Sequence, residues 1–149
     1  MNEQAEKPFT LRDTIIPKSD QLNYDDFIAG PKTRTVTKVS RGNPEQPVLI
    51  YITGEDRPWK PNKTMRRVLI AAWGDKGREW VDKSLMLVGD PSVTWAGAAV
   101  GGIVISRLSD IPESGLRMML TKKRGQRVEC IFGFLKTTQH AADAAGKEG

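Results

Sequence analysis

Hydrophobic and polar positions change period several times along the chain, and each change marks an element. Residues 33–40, TRTVTKVS, alternate β-branched with charged or polar side chains, the period of a half-buried strand. Arg41-Gly42-Asn43-Pro44 supplies a turn, and Pro47 to Thr53 reads as the returning strand of a hairpin. After a polar loop from Gly54 to Pro61 the period lengthens. Met65, Val68, Leu69 and Ala72 form a stripe on one helical face, with Asn62 or Thr64 as the cap and Gly74 as a left-handed stop. A second short helix is expected over Asp75 to Lys83, burying Trp80 and Val81. From Ser84 the pattern is β again. Leu85 to Val88 is a strand ended by Gly89-Asp90-Pro91, Val93-Thr94-Trp95 resumes it, Ala96-Gly97 turns, and Val100 to Ser106 returns. Gly101 and Gly102 inside that return predict a bulge or sharp bend. Residues 116–121 and 127–134 flank Lys122-Lys123-Arg124-Gly125-Gln126 as a third hairpin with a basic tip.

The two ends are weaker in pattern. The first dozen residues show no period. Residues 13–30 hold an extended Thr14-Ile15-Ile16, stopped by Pro17, and a short turn entered at Ser19 or Asn23 whose Leu22 and Phe27 sit on the body. The end from Thr137 to Gly149 is Ala- and Gly-rich. The organisation expected is therefore an N-terminal arm over 1–30, one domain over 31–138 and a tail over 139–149. Six or so short strands with one good helix and one marginal helix predict a β-rich α+β fold. The economical form is a small five- to six-stranded barrel like the oligonucleotide-binding (OB) type, with one or two short helices closing an end.

Composition narrows the classes of function. The chain has 149 residues, one Cys and one His. That length buries a core without staples; one cysteine, Cys130, cannot form an internal disulfide and fits a reducing compartment. No apolar stretch approaches the ~20 residues that span a bilayer, and no basic-then-apolar leader opens the chain. A cytoplasmic location without membrane contact is the expectation. One His and one Cys leave little for zinc, and no cofactor or metal is signalled.

Charge adds a direction. The formal net charge of +5 is unevenly spread. Residues 1–30 carry three basic and six acidic side chains, residues 139–149 one and two, and residues 31–138 nineteen and ten, so the central body holds +9. Two clusters stand out within it: Arg57, Lys60, Lys63, Arg66 and Arg67, then Lys122, Lys123, Arg124 and Arg127. One such run is as often a solvated face. Two, each beside aromatic or glycine-rich sequence, point to a polyanion.

The stretch from Lys60 to Ile111, with a helix ending in Trp73-Gly74, a Trp80-Val81 strand entry leading to Leu85 and Leu87, and a Gly101-Gly102-Ile103 return strand, resembles small bacteriophage single-stranded DNA-binding proteins of the OB-fold type. Asp82 stands where those proteins tend to have a turn glycine, a conformation Asp tolerates. The resemblance covers residues 33–111 in pattern. It implies a non-catalytic role in DNA replication or recombination in the host cytoplasm, with single-stranded nucleic acid, DNA foremost, as partner and homo-oligomers as an option.

Binding a single strand needs cations along the phosphates and flat side chains under the bases. The candidates are Trp59, Lys60, Lys63, Arg66, Arg67, Trp95, Arg107, Lys122, Lys123 and Arg124, with Arg34 and Lys38 next. Trp59 and Trp95 lie in loop or turn sequence and are the stacking candidates, whereas Trp73 and Trp80 lie on apolar helix faces and read as core. Arg66 and Arg67 fall in the first helical turn, whose free N–H groups favour phosphate. Catalysis finds less support. His140 lies in the tail away from strand-borne carboxylates, Cys130 reads as a small buried hydrophobe, and the glycines at 97, 101 and 102 lack the Lys-Ser/Thr pair of a phosphate loop. The alternative is an interaction or inhibitor protein whose basic body binds an acidic protein. The acidic arm could cover the basic face as a nucleic-acid mimic.

Overall fold

A computed structural model describes residues 20–95, 98–99, 101–123 and 125–137. Strands β1 (Lys32–Arg41) and β2 (Val48–Ile52) form the first hairpin, followed by helix α1 (Lys63–Trp73), then β3 (Ser84–Asp90), the short pair β4 (Thr94–Trp95) and β5 (Ala98–Ala99), β6 (Gly102–Leu108), β7 (Leu116–Lys123) and β8 (Gln126–Phe134). Six strands make one mixed sheet in the order β2-β1-β3-β6-β8-β7, antiparallel except where β6 and β8 run parallel through Arg107/Gly133 and Leu108/Phe134. The fold is β-rich with one α-helix. No helix among the described residues is long and apolar enough to cross a membrane.

A closed barrel is not what these strands form. Beyond Val36 the side of β1 that closure would use is taken by β2, and β7 ends the sheet at the opposite edge. Curvature enters instead through bulges. The β1/β2 register slips between Val36 and Lys38, and β3/β6 slips opposite Met86 and Leu87. Each slip adds local twist.

Helix α1 has the cap its sequence specifies: the Asn62 side chain accepts from the Met65 N–H at 2.9 Å. Its buried residues are Met65, Val68, Leu69 and Trp73, with Ala72 only partly covered, and it packs against β6 and β7. The stripe ends on Trp73 because the large ring reaches the core from one position further on, where its Nε1–H donates to the Ser109 carbonyl at 2.8 Å. Gly74 ends the helix as expected, but at φ 91, ψ 176 it occupies a region essentially reserved for glycine rather than the left-handed helical one. The helix expected over Asp75 to Lys83 is a single 3-10 turn, Gly77–Trp80. Gly77 lies close against β1, where a Cβ would meet Val39 at 2.8 Å. Trp80 is buried as expected and meets Trp73 edge-on at 6.4 Å. Asp82 does adopt positive φ, at 74°.

Residues of the expected arm are partly in the body. The 3-10 turn Tyr24–Phe27 places Leu22 and Phe27 in the core, and the Leu22 N–H bonds the Pro58 carbonyl at 2.8 Å. Gly101, at φ 82, packs under the Tyr24 ring, so β6 begins one residue later, at Gly102. The expected extended stretch Thr14–Ile16 and the tail from 138 lie outside the described residues.

Candidate nucleic-acid interface

A cleft of about 970 Å³ lies between the end of the β1–β2 hairpin, the outer flank of α1 and the 3-10 turn at Gly77–Trp80. Alternation builds one wall. Val39 and Arg41, two residues apart on β1, share a face with their partners Ile50 and Val48. Helical spacing builds the other: Lys63, Arg66, Arg67 and Ile70 lie off the buried stripe and border the cleft. Arg78, from the turn, completes the set. Five cations, Arg41, Lys63, Arg66, Arg67 and Arg78, thus line one cavity that has Asp75 as its single carboxylate. The Nε of Arg66 is shut off from solvent and bonded to nothing.

Three of the sequence-predicted cations, Lys63, Arg66 and Arg67, come together here; Arg57, Lys60, Arg34, Lys38 and Arg107 do not. Arg57 and Lys60 belong to the same run but point to acidic residues at the start of the described chain. Arg57 pairs with Asp26 at 2.7 Å, and Lys60 lies 3.4 Å from Asp20. Arg34 pairs with Glu55 at 3.6 Å and donates to the Thr33 carbonyl, Lys38 lies over the Tyr51 ring at 5.3 Å, and Arg107 donates to the Phe134 carbonyl at 3.2 Å. None of these three borders the cleft. Lys122 and Lys123 end β7, at the sheet edge opposite β2; their side chains, and Arg124 altogether, lie outside the described residues.

The stacking expectation for Trp59 is overturned. The residue is 2% exposed, and its backbone forms a two-way bridge with Ile50, donating at 2.8 Å and accepting at 2.9 Å. Its flanking cations made the loop look solvated, but the bridge turns the indole into the core, where a ring this large gains most from leaving water. Trp95 has its backbone in β4, paired with Ala98, and its side chain is not among those described. Cys130 is half-buried rather than enclosed, packed beside the core with Met118 and Leu116.

Arg41 and Arg78 are the cleft residues that sequence reasoning missed. For Arg41 a signal existed, since the β1 alternation that turns Val39 toward the core also carries Arg41 to the same face. Arg78 had none, because its place depends on the 3-10 turn. Among the described residues no cluster of His, Cys, Asp and Glu gathers at metal-ligand spacing. Compared with protein-family models, with curated proteins and with solved structures, the chain matches none.

Proposed function

We propose that this chain binds single-stranded nucleic acid, DNA foremost, without catalysis, by running the phosphate backbone through the cleft between α1 and the β1–β2 hairpin. The observation that carries this reading is the gathering of Arg41, Lys63, Arg66, Arg67 and Arg78 around one cavity with a single opposing carboxylate. Arginine forks match phosphate oxygens two at a time, and four of the five cations are arginines. The strand order supports an OB-type reading as well. The run β1-β3-β6-β8-β7, whose last hairpin returns parallel beside β6, is the connectivity expected of a partly open five-stranded Greek-key barrel.

The test is oligo(dT) binding by fluorescence anisotropy across a salt series. Five neutralised phosphates would give a slope of log K against log salt of about −3.5, at ~0.7 per phosphate on a single strand. The pair Arg66→Ala/Arg67→Ala should lower affinity about tenfold or more and flatten the slope by about 1.4. Binding that ignores salt, or a double variant that binds as the parent does, would sink the proposal.

A further inference from the structure

The β7–β8 ribbon carries a second surface that the cleft does not explain. β8 joins β6 only through Gly133 and Phe134, so most of the ribbon is two-stranded. Its inner face holds Leu120 and Phe132, both buried in the core, with Leu116, Met118 and Cys130 packed beside them. The outer face is formed by the register pairs Arg117/Ile131, Met119/Glu129 and Thr121/Arg127, all exposed. On this face Met119 is 51% and Ile131 57% exposed. Glu129 is the single carboxylate of the face, already beside Arg117 at 3.3 Å. Counting Lys122 and Lys123 at the end of β7, the ribbon is strongly basic at its free end.

We propose that this outer face is a second nucleic-acid surface, one that enters the major groove of a duplex. This rests on the nucleic-acid reading of the chain but not on the cleft. A two-stranded ribbon, its strands about 4.8 Å apart, fits a groove about 12 Å wide. The side chains suit it chemically: Arg117 and Arg127 address guanine edges or phosphates, Thr121 offers a hydroxyl, and Met119 and Ile131 lie against thymine methyls. A flat, self-associating patch would be more apolar and less charged at its centre. The outer face of the ribbon shares no residue with the lining of the cleft, so the two surfaces can be tested separately.

The experiment measures the full chain on two probes, oligo(dT) and a mixed-sequence duplex of the same length, at one salt concentration. Arg117→Ala/Arg127→Ala should weaken duplex binding about fivefold or more and leave oligo(dT) within about twofold, while Arg66→Ala/Arg67→Ala does the reverse. Because Arg117 and Arg127 are exposed, thermal melting of the ribbon variant should match the parent; Arg127→Glu provides a second reading with one change. Equal losses on both probes would overturn the proposal by making the ribbon part of the cleft's path, and no loss on the duplex would overturn it outright. An oligomer that Ile131→Glu converts to monomer would also overturn it, assigning the face to a second copy. A parent that binds oligo(dT) but no duplex defeats the ribbon alone, whereas one that binds neither defeats the proposed function too.

Discussion

The backbone of Trp59 makes two hydrogen bonds to Ile50, and its indole belongs to the buried core. Removing a ring this buried costs about 3–5 kcal/mol, the transfer term plus a cavity. Trp59→Ala should therefore lower the denaturation midpoint sharply, by chemical melting, while Trp59→Phe keeps oligonucleotide affinity and loses only part of the stability. A phenylalanine variant with an unchanged melting temperature and weakened binding would return the ring to the binding surface. Trp73 shows the same principle with a polar handle. Its Nε1–H satisfies the carbonyl of Ser109, whose hydroxyl accepts from the Ser84 N–H at 2.8 Å, so one indole orders the crossing of β3 and the end of β6. Both residues were legible as large apolar rings. Both are buried, and for Trp59 that outcome came from the bridge to Ile50, which its loop sequence does not announce.

Helix α1 joins the stability of the fold to the placement of the cations. Its first turn is fixed by Asn62, and the same turn presents Lys63, Arg66 and Arg67 to the cleft. Asn62→Ala should cost about 1 kcal/mol in stability through the lost cap. Fraying that turn should also weaken oligonucleotide binding with no charge removed, and urea melting paired with anisotropy measures both; a stability loss with full affinity would uncouple the cap from the site. The helix, the first hairpin and the basic-tipped ribbon could all be read from period and turn residues, because each is specified by positions close in sequence. The segment from Asp75 to Lys83 could not: its apolar residues suit a helix, but Gly77 packed on Val39 and Trp80 bonded to the Gly74 carbonyl hold it as one 3-10 turn.

Charge over the whole molecule is arranged differently from its order along the chain. The acidic excess of the first thirty residues comes from Asp20, Asp25 and Asp26, whereas residues 1–19 carry three acidic and three basic side chains. Asp26 and Asp20 lie on Arg57 and Lys60, within the folded body. These pairs are surface interactions worth about 0–1 kcal/mol each, and they offset two of the positive charges of the body. A neutral segment has no electrostatic reason to mimic nucleic acid. Deleting residues 1–18 should therefore leave oligo(dT) affinity at low salt unchanged; a clear gain in affinity on deletion would restore the covering arm.

The amino-acid sequence by itself determined the β-rich class, the places of the first and last hairpins and of α1, the burial of Trp73 and Trp80, and a basic run on the outer flank of α1. Those are short-range consequences of period, caps and turn residues. The tertiary structure decided that the sheet stays open, since β2 takes the side of β1 that a barrel would close. It also decided that Trp59 is core, that Arg57 and Lys60 face carboxylates, and that Arg41 and Arg78 join Lys63, Arg66 and Arg67 around one cleft. Each of those outcomes depends on which distant strand or turn lies alongside, and no local pattern encodes that neighbour.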